Sequence, residues 1–219
     1  MKKEKIKFLA TSDIHSDINL IYAIEKYSPL NEMDFIIMTG DISEKKDDFG
    51  KIFSIFKGKD IFLVPGNHET KKQLKILEEI YKIHVVGDKP VIINEDFAIF
   101  GTNKMSIGSR YNERDVLENL IENFKAIENI KFKVLLNHIP PHGTIIGDAS
   151  PYFPMIGGSQ AHRVFLEHFN PDISIVGHIH ESSGLEEIVN KTKVINVART
   201  FKVFEFDTKT KQMKILSNR

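Results

Sequence analysis

Cysteine is absent from the 219 residues, which excludes a disulfide framework, a thiolate zinc site and a cysteine nucleophile. Net charge is absent as well: 30 Lys and Arg balance 30 Asp and Glu, so bulk attraction to nucleic acid or to an anionic membrane is not expected. There is no basic stripe and therefore no expected extended nucleic-acid surface. Long apolar runs are missing too. The run at 6–10, after the charged start, is broken by Lys7 and is too short for a secretory core or a membrane span, so a cytoplasmic protein is expected. With no repeat, low-complexity tract or linker, the length suits one domain over 1–219 with a sizeable core. Histidine, in contrast, is plentiful, with nine residues, several of them close to Gly, Asp or Asn where apolar runs stop.

Apolar spacing divides the first part of the chain into alternating strands and helices. Residues 5–11 read as a strand, and Ser16 or Asp17 caps a helix carrying Ile18, Ile21, Tyr22 and Ile24. The continuous apolar run 35–39 has the pattern of a strand buried on both faces. Phe49, Ile52, Phe53 and Phe56 mark a second helix stopped by Gly58. Strand 61–64 follows, and Thr70 caps a helix through Leu74, Leu77 and Tyr81. This alternation predicts parallel strands with crossover helices, and such sheets bind ligands at the carboxyl ends of their strands.

The middle changes character. Runs 91–94 and 97–102 flank Glu95-Asp96 as a hairpin, and 104–112 has loop composition. Val116, Leu117, Leu120, Ile121, Phe124 and Ile127 form an amphipathic stripe, followed by a strand at 133–136. A Gly- and Pro-rich loop at 143–158 is long enough to suggest function. Ser159 caps a helix through Val164, Phe165 and Phe169, and 173–176 is again a strand. The tail runs 185–189, 194–197, 203–206 and 213–216 read as successive antiparallel strands.

Polar clusters stand where these strands end: Asp13 with His15, Asp41, Asn67 with His68, His138, and His178 with His180. Singly, each has a plain alternative. Asp13 and Asp41 suit turns or caps, Asn67 a left-handed turn, and His138 a simple strand end. His178 and His180, two apart in an extended chain, would face one spot. Together, four imidazoles, two carboxylates and one amide oxygen form a mixed set that suits manganese, iron or zinc better than an all-oxygen cage. Seven donors exceed one four-coordinate ion, so two divalent ions are the economical count, with His68 left over. His84, His162 and His168 lie in no motif and read as surface or structural residues.

In order, Asp13-Ile14-His15, Gly40-Asp41, Gly66-Asn67-His68-Glu69, His138 and Gly177-His178-Ile179-His180 resemble the five signatures of the calcineurin-like metallophosphoesterase family. Pro-Pro-His-Gly after Ile139 and Gly-Gly-Ser at Ser159 are similar to segments of small microbial, phosphodiesterase-like members. The resemblance implies an α/β fold, a four-layer α/β/β/α sandwich of two mixed sheets flanked by helices. It implies one metal on Asp13, His15, Asp41 and His180, and a second on Asp41, Asn67, His138 and His178. Asp41 would bridge, each histidine of the final pair would serve a different ion, and His68 would stay off the metals as the catalytic residue. Gly177 would let the backbone run close beneath the metals.

The implied activity is hydrolysis of a small, nucleotide-like phosphate ester, a diester ahead of a monoester, by in-line attack of a metal-bound hydroxide. A phosphomonoesterase on the same site and a non-catalytic scaffold on the same fold are the alternatives; the ligand set here is complete, which speaks against the scaffold. The stretch Gly40-Asp41-Ile42-Ser43-Glu44 departs from the family's usual Gly-Asp-x-x-Asp or Gly-Asp-x-x-Gly. Arg110 is a candidate phosphate clamp and His142 a candidate substrate contact. Glu69 is a candidate to orient the His68 ring. Gly157-Gly158-Ser159 reads either as an anion site or as a capped helix start.

Overall fold

Why the polar clusters meet follows from how the strands are laid side by side. The computed structural model describes residues 3–43, 45–104, 112–152 and 157–218. Arg110 and part of the 143–158 loop lie outside them. The first sheet contains β1 (Lys5–Thr11), β2 (Phe35–Met38), β3 (Asp60–Leu63) and the two-residue β4 (His84–Val85), all parallel. The second contains β5 (Val91–Asn94), β6 (Phe97–Gly101), β7 (Phe132–Leu136), β8 (Ile173–Val176), β9 (Glu186–Val189) and β10 (Thr192–Asn196). Here β5 and β6 form the expected antiparallel hairpin, while β6, β7 and β8 run parallel.

The tail departs from the sequence reading. β10 pairs antiparallel with β9 but parallel with β8. The next strand, β11 (Phe201–Asp207), leaves for the first sheet, where it lies antiparallel to β1 and to β12 (Gln212–Asn218). Successive runs with similar alternation therefore belong to different sheets, because a period of two marks a strand without naming its neighbour.

The helices are α1 (Ile18–Tyr27), α2 (Phe49–Ser54), α3 (Lys71–Tyr81), α4 (Glu113–Lys125) and α5 (Gln160–Phe169). Asp17 caps α1, and Thr70 with Gln73 forms a capping box on α3. α2 ends at Ser54, short of the Phe56 that the sequence placed in it and of the Gly58 expected to stop it. The first three helices cover the outer face of the first sheet through Ile21, Ile24, Phe49, Ile52 and Leu77. α4 and α5 cover the second sheet through Val116, Leu120, Phe165 and Leu166. Between the sheets, Phe8, Phe35, Phe97, Phe132, Phe204 and Phe206 form a third apolar layer. The result is a four-layer α/β/β/α sandwich of two mixed sheets. Among the described residues no helix is long and apolar enough to cross a membrane.

Candidate metal centre

β1, β2 and β3 of one sheet and β7 and β8 of the other all end at one side of the sandwich, where Asp13, Asp41, Asn67, His68, His138, His178 and His180 follow them in the chain. The backbone turns sharply there. Asp13, His15, Ser16, Asp41 and His178 all have positive φ, between 44° and 70°, a costly conformation for non-glycine residues that is concentrated at functional sites. Two glycines allow the loops to close up. A Cβ on Gly66 would lie 2.2 Å from Asp41 Oδ1, and one on Gly177 would lie 2.4 Å from Asp13 Oδ2. Close approach, rather than unusual φ, is what Gly177 provides.

Among the described residues three overlapping groups result: Asp13, His15 and His180; His15, Asp41 and His68; Asp41, His138 and His178. Within each, one donor atom per residue lies within 4.8 Å of the others, a spacing that could hold a metal ion. His180 Nε2 is 3.1 Å from Asp13 Oδ1. Asp41 Oδ2 is 3.3 Å from His138 Nε2, 3.7 Å from His15 Nε2 and 3.9 Å from His68 Nε2. Asn67 joins through Oδ1, 2.9 Å from His138 Nε2. The seven sequence-derived donors are thus gathered in one place together with His68, and Asp41 belongs to two of the three groups.

His178 and His180 do not behave as neighbours on an extended strand. His178 is left-handed and His180 opens a short 3₁₀ turn, so the period-two premise fails. The His178 ring packs against His138 at 5.0 Å between centroids, the His180 ring against His15 at 5.4 Å, and Ile179 between them is buried.

The donor chemistry supports a cation at this position. The Thr39 carbonyl has no proton to give, so His138 Nδ1 donates to it across 2.6 Å. His138 Nε2 then faces two oxygens, those of Asn67 and Asp41, with no donor among the three unless the ring is doubly protonated. Burial lowers the His138 pKa, but Asp41, Asp13 and the Thr39 carbonyl outweigh it and hold the ring at about 9. A metal ion placed there takes over the role of that proton. His178 is already in the neutral form that a metal requires: burial, then the charge of His138, pull it down to about 4. Burial also lowers His15, against Asp41 and Asp13. Burial pushes both carboxylates upward, but His180 and His138 beside Asp13, and His138 and His68 beside Asp41, hold them below the usual range.

Each carboxylate is anchored by a backbone N–H from a distant loop. His178 N–H donates to Asp13 Oδ2, and His68 N–H donates to Asp41 Oδ1, each at 2.9 Å. Glu69 is fully buried and does not serve the His68 ring as the sequence suggested. Its carboxylate accepts the backbone N–H groups of Asp41, Ile42 and Gly66. No sequence signal identifies backbone groups as partners, so this role is invisible before the fold is known. Ser159 does cap α5, and the Glu113 carboxylate accepts the N–H groups of Gln160 and Ala161, so that helix start is filled from within the chain. His142 Nδ1 lies 3.8 Å from Asp148 Oδ1, on the loop bridged by Pro141 and Ser159. His162, without a motif, is a buried core residue between the Ile139 carbonyl and the Ser174 hydroxyl.

Comparison with known proteins gives a consistent family and fold. Residues 6–182 match the calcineurin-like phosphoesterase family. An uncharacterised protein of Methanocaldococcus jannaschii is 28% identical over 225 residues, covering 97% of this chain and 96% of the relative. The crystal structure of TT1561 from Thermus thermophilus superposes with a TM-score of 0.68 at 15% identity, over 98% of this chain and 99% of that one. Phosphopantetheinyl hydrolase from Mycobacterium tuberculosis gives 0.65 at 16% identity, over 89% of each chain.

Proposed function

The chain belongs to the calcineurin-like phosphoesterase family, and from that premise we propose that it hydrolyses a small phosphate ester with two divalent cations, a diester in preference to a monoester. The observation that carries this reading is the position of Asp41 Oδ2, within 3.9 Å of ring nitrogens from His15, His68 and His138. One carboxylate oxygen shared between two sets of donors is what a two-metal site needs, because an anion between two cations offsets their repulsion. In this reading Asp13, His15, Asp41 and His180 hold one ion, and Asp41, Asn67, His138 and His178 hold the other. Manganese, iron or zinc suits this nitrogen and oxygen mixture. When bound, two such ions supply neutralisation of the phosphate charge and an acidified water as nucleophile.

The remaining work belongs to the chain. The Thr39 carbonyl orients His138, and backbone N–H groups hold Asp13 and Asp41. The buried floor of Asp13, Asp41 and His138 excludes water from below. His68, 37% exposed, stands at the mouth, where its Nε2 can present a proton to the leaving oxygen. The diester reading is supported by the openness of that mouth, where the His68 and His180 side chains are 37% and 41% exposed. A nucleotide-like ester fits this description.

The test is an assay of the manganese-loaded protein against bis- and mono-nitrophenyl phosphate. Faster turnover of the diester is expected. Preference for the monoester would reverse the substrate assignment, and no hydrolysis of either by protein with metal measured in it would make the chain a binding protein on this fold.

A further inference from the structure

Glu69 donates nothing to the ligand groups, yet it is buried among them with three partners that are all backbone. Oε2 accepts the N–H groups of Asp41 at 2.9 Å and Gly66 at 2.7 Å; Oε1 accepts that of Ile42 at 2.7 Å. One carboxylate thus ties together the loop after β2 and the loop after β3, which are far apart in the chain. The link is reciprocal, because Asp41 Oδ1 accepts the His68 N–H from the second loop at 2.9 Å. With Oδ1 so occupied, Oδ2 is the oxygen turned towards His15, His68 and His138. Gly66 lies so close that a Cβ there would meet both the Asp41 side chain and its amide nitrogen.

We propose that Glu69 is a positioning residue: through the Asp41 and Gly66 backbone it sets the rotation of the Asp41 carboxylate that places one oxygen at the shared metal position. The inference rests on the two-metal reading above. It makes Glu69 an outer partner of the metals rather than of His68, and such partners typically contribute about 10- to 100-fold to metal affinity.

Glu69→Gln keeps the volume but turns one acceptor into an NH₂ group, which must confront a backbone N–H whichever way the amide lies. Glu69→Asp keeps the charge but is one methylene too short to span both loops. Manganese titration calorimetry on the full metal-free chain reads the effect directly, with far-UV circular dichroism to establish folding. Manganese affinity at least about tenfold weaker is expected in Glu69→Gln, with Glu69→Asp between it and the wild type. The manganese-dependent rise in thermal midpoint should shrink in the same order. A folded Glu69→Gln protein with wild-type manganese affinity would overturn the proposal while leaving the two-metal reading intact. If both variants fail to fold with or without manganese, Glu69 is a folding residue and the proposal is again overturned. Wild-type protein that binds no manganese would overturn the metal reading itself.

Discussion

The two oxygens of Asp41 have separate duties, one anchored to a backbone amide and the other facing the rings of three histidines. Asp41→Ala removes the donor that both proposed sets share, so it is expected to empty both metal positions; metal analysis of the folded variant checks this. His68 differs, being partly exposed at the mouth. His68→Ala should lower turnover by about 10²- to 10⁴-fold while metal content stays near that of the wild type. Loss of metal in that variant would make His68 a ligand instead. His162 carries a pH prediction of another kind. Burial pulls its pKa down to about 4, against an unfolded value of about 6.5. Between these values the unfolded chain binds the extra proton, so stability is complete above pH 6.5 and is lost as pH falls towards 4. The loss attributable to this one ring is about 3 kcal/mol. Urea denaturation of metal-free His162→Gln should show a shallower acid decline than the wild type.

At the scale of elements, the site is made by strand ends forced into close approach. The Gly40 carbonyl accepts the Asp13 N–H, the Asp41 carbonyl accepts that of His15, and the His138 carbonyl accepts that of Gly177. Main chain therefore fixes the loop after β1 to the loop after β2, and the loop after β7 to the loop after β8, whereas the loop after β3 is held through the Glu69 and Asp41 side chains. Gly66→Ala puts a methyl 2.2 Å from Asp41 Oδ1, which must then move or rotate. We expect manganese binding to fall sharply and stability to drop by about 1–3 kcal/mol, as for overpacked interiors; calorimetric titration and urea midpoints measure the two. The helix starts needed less of the tertiary structure. Asp17, Thr70 and Ser159 are short polar residues placed just before apolar periodicity, so their caps were legible in sequence. The carboxylate of Glu113 at the start of α5 was not legible, since 46 residues separate it from Ser159, whose hydroxyl it also accepts.

For the whole molecule, the phenylalanines between the sheets hold the two halves of the site at a fixed separation. Phe8 is fully buried and stacks on Phe35 at 5.1 Å and on Phe204 at 4.8 Å, with Phe97 edge-on from the opposite sheet. Phe8→Ala is expected to cost about 3–5 kcal/mol in urea denaturation. Because Asp13 and Asp41 sit on one sheet while His138 and His178 sit on the other, loosened packing between sheets should also weaken manganese binding.

The sequence by itself determined the residue types of the site and their places at strand ends. Asp13, His15, Asp41, Asn67, His138, His178 and His180 stand out because short apolar runs stop at them, and both the run and the stop are local. It also determined the alternation of β1, α1, β2, α2, β3 and α3, whose buried strands and capped helices are written in nearby residues. Only the tertiary structure decided that β11 crosses to the first sheet, that His178 turns towards His138 while His180 turns towards Asp13, and that Glu69 holds backbone. Local alternation is the same in either sheet, and a left-handed turn at His178 cancels the period-two rule. A backbone N–H is common to every residue except proline, so no side-chain pattern could announce which three of them the buried Glu69 carboxylate would gather.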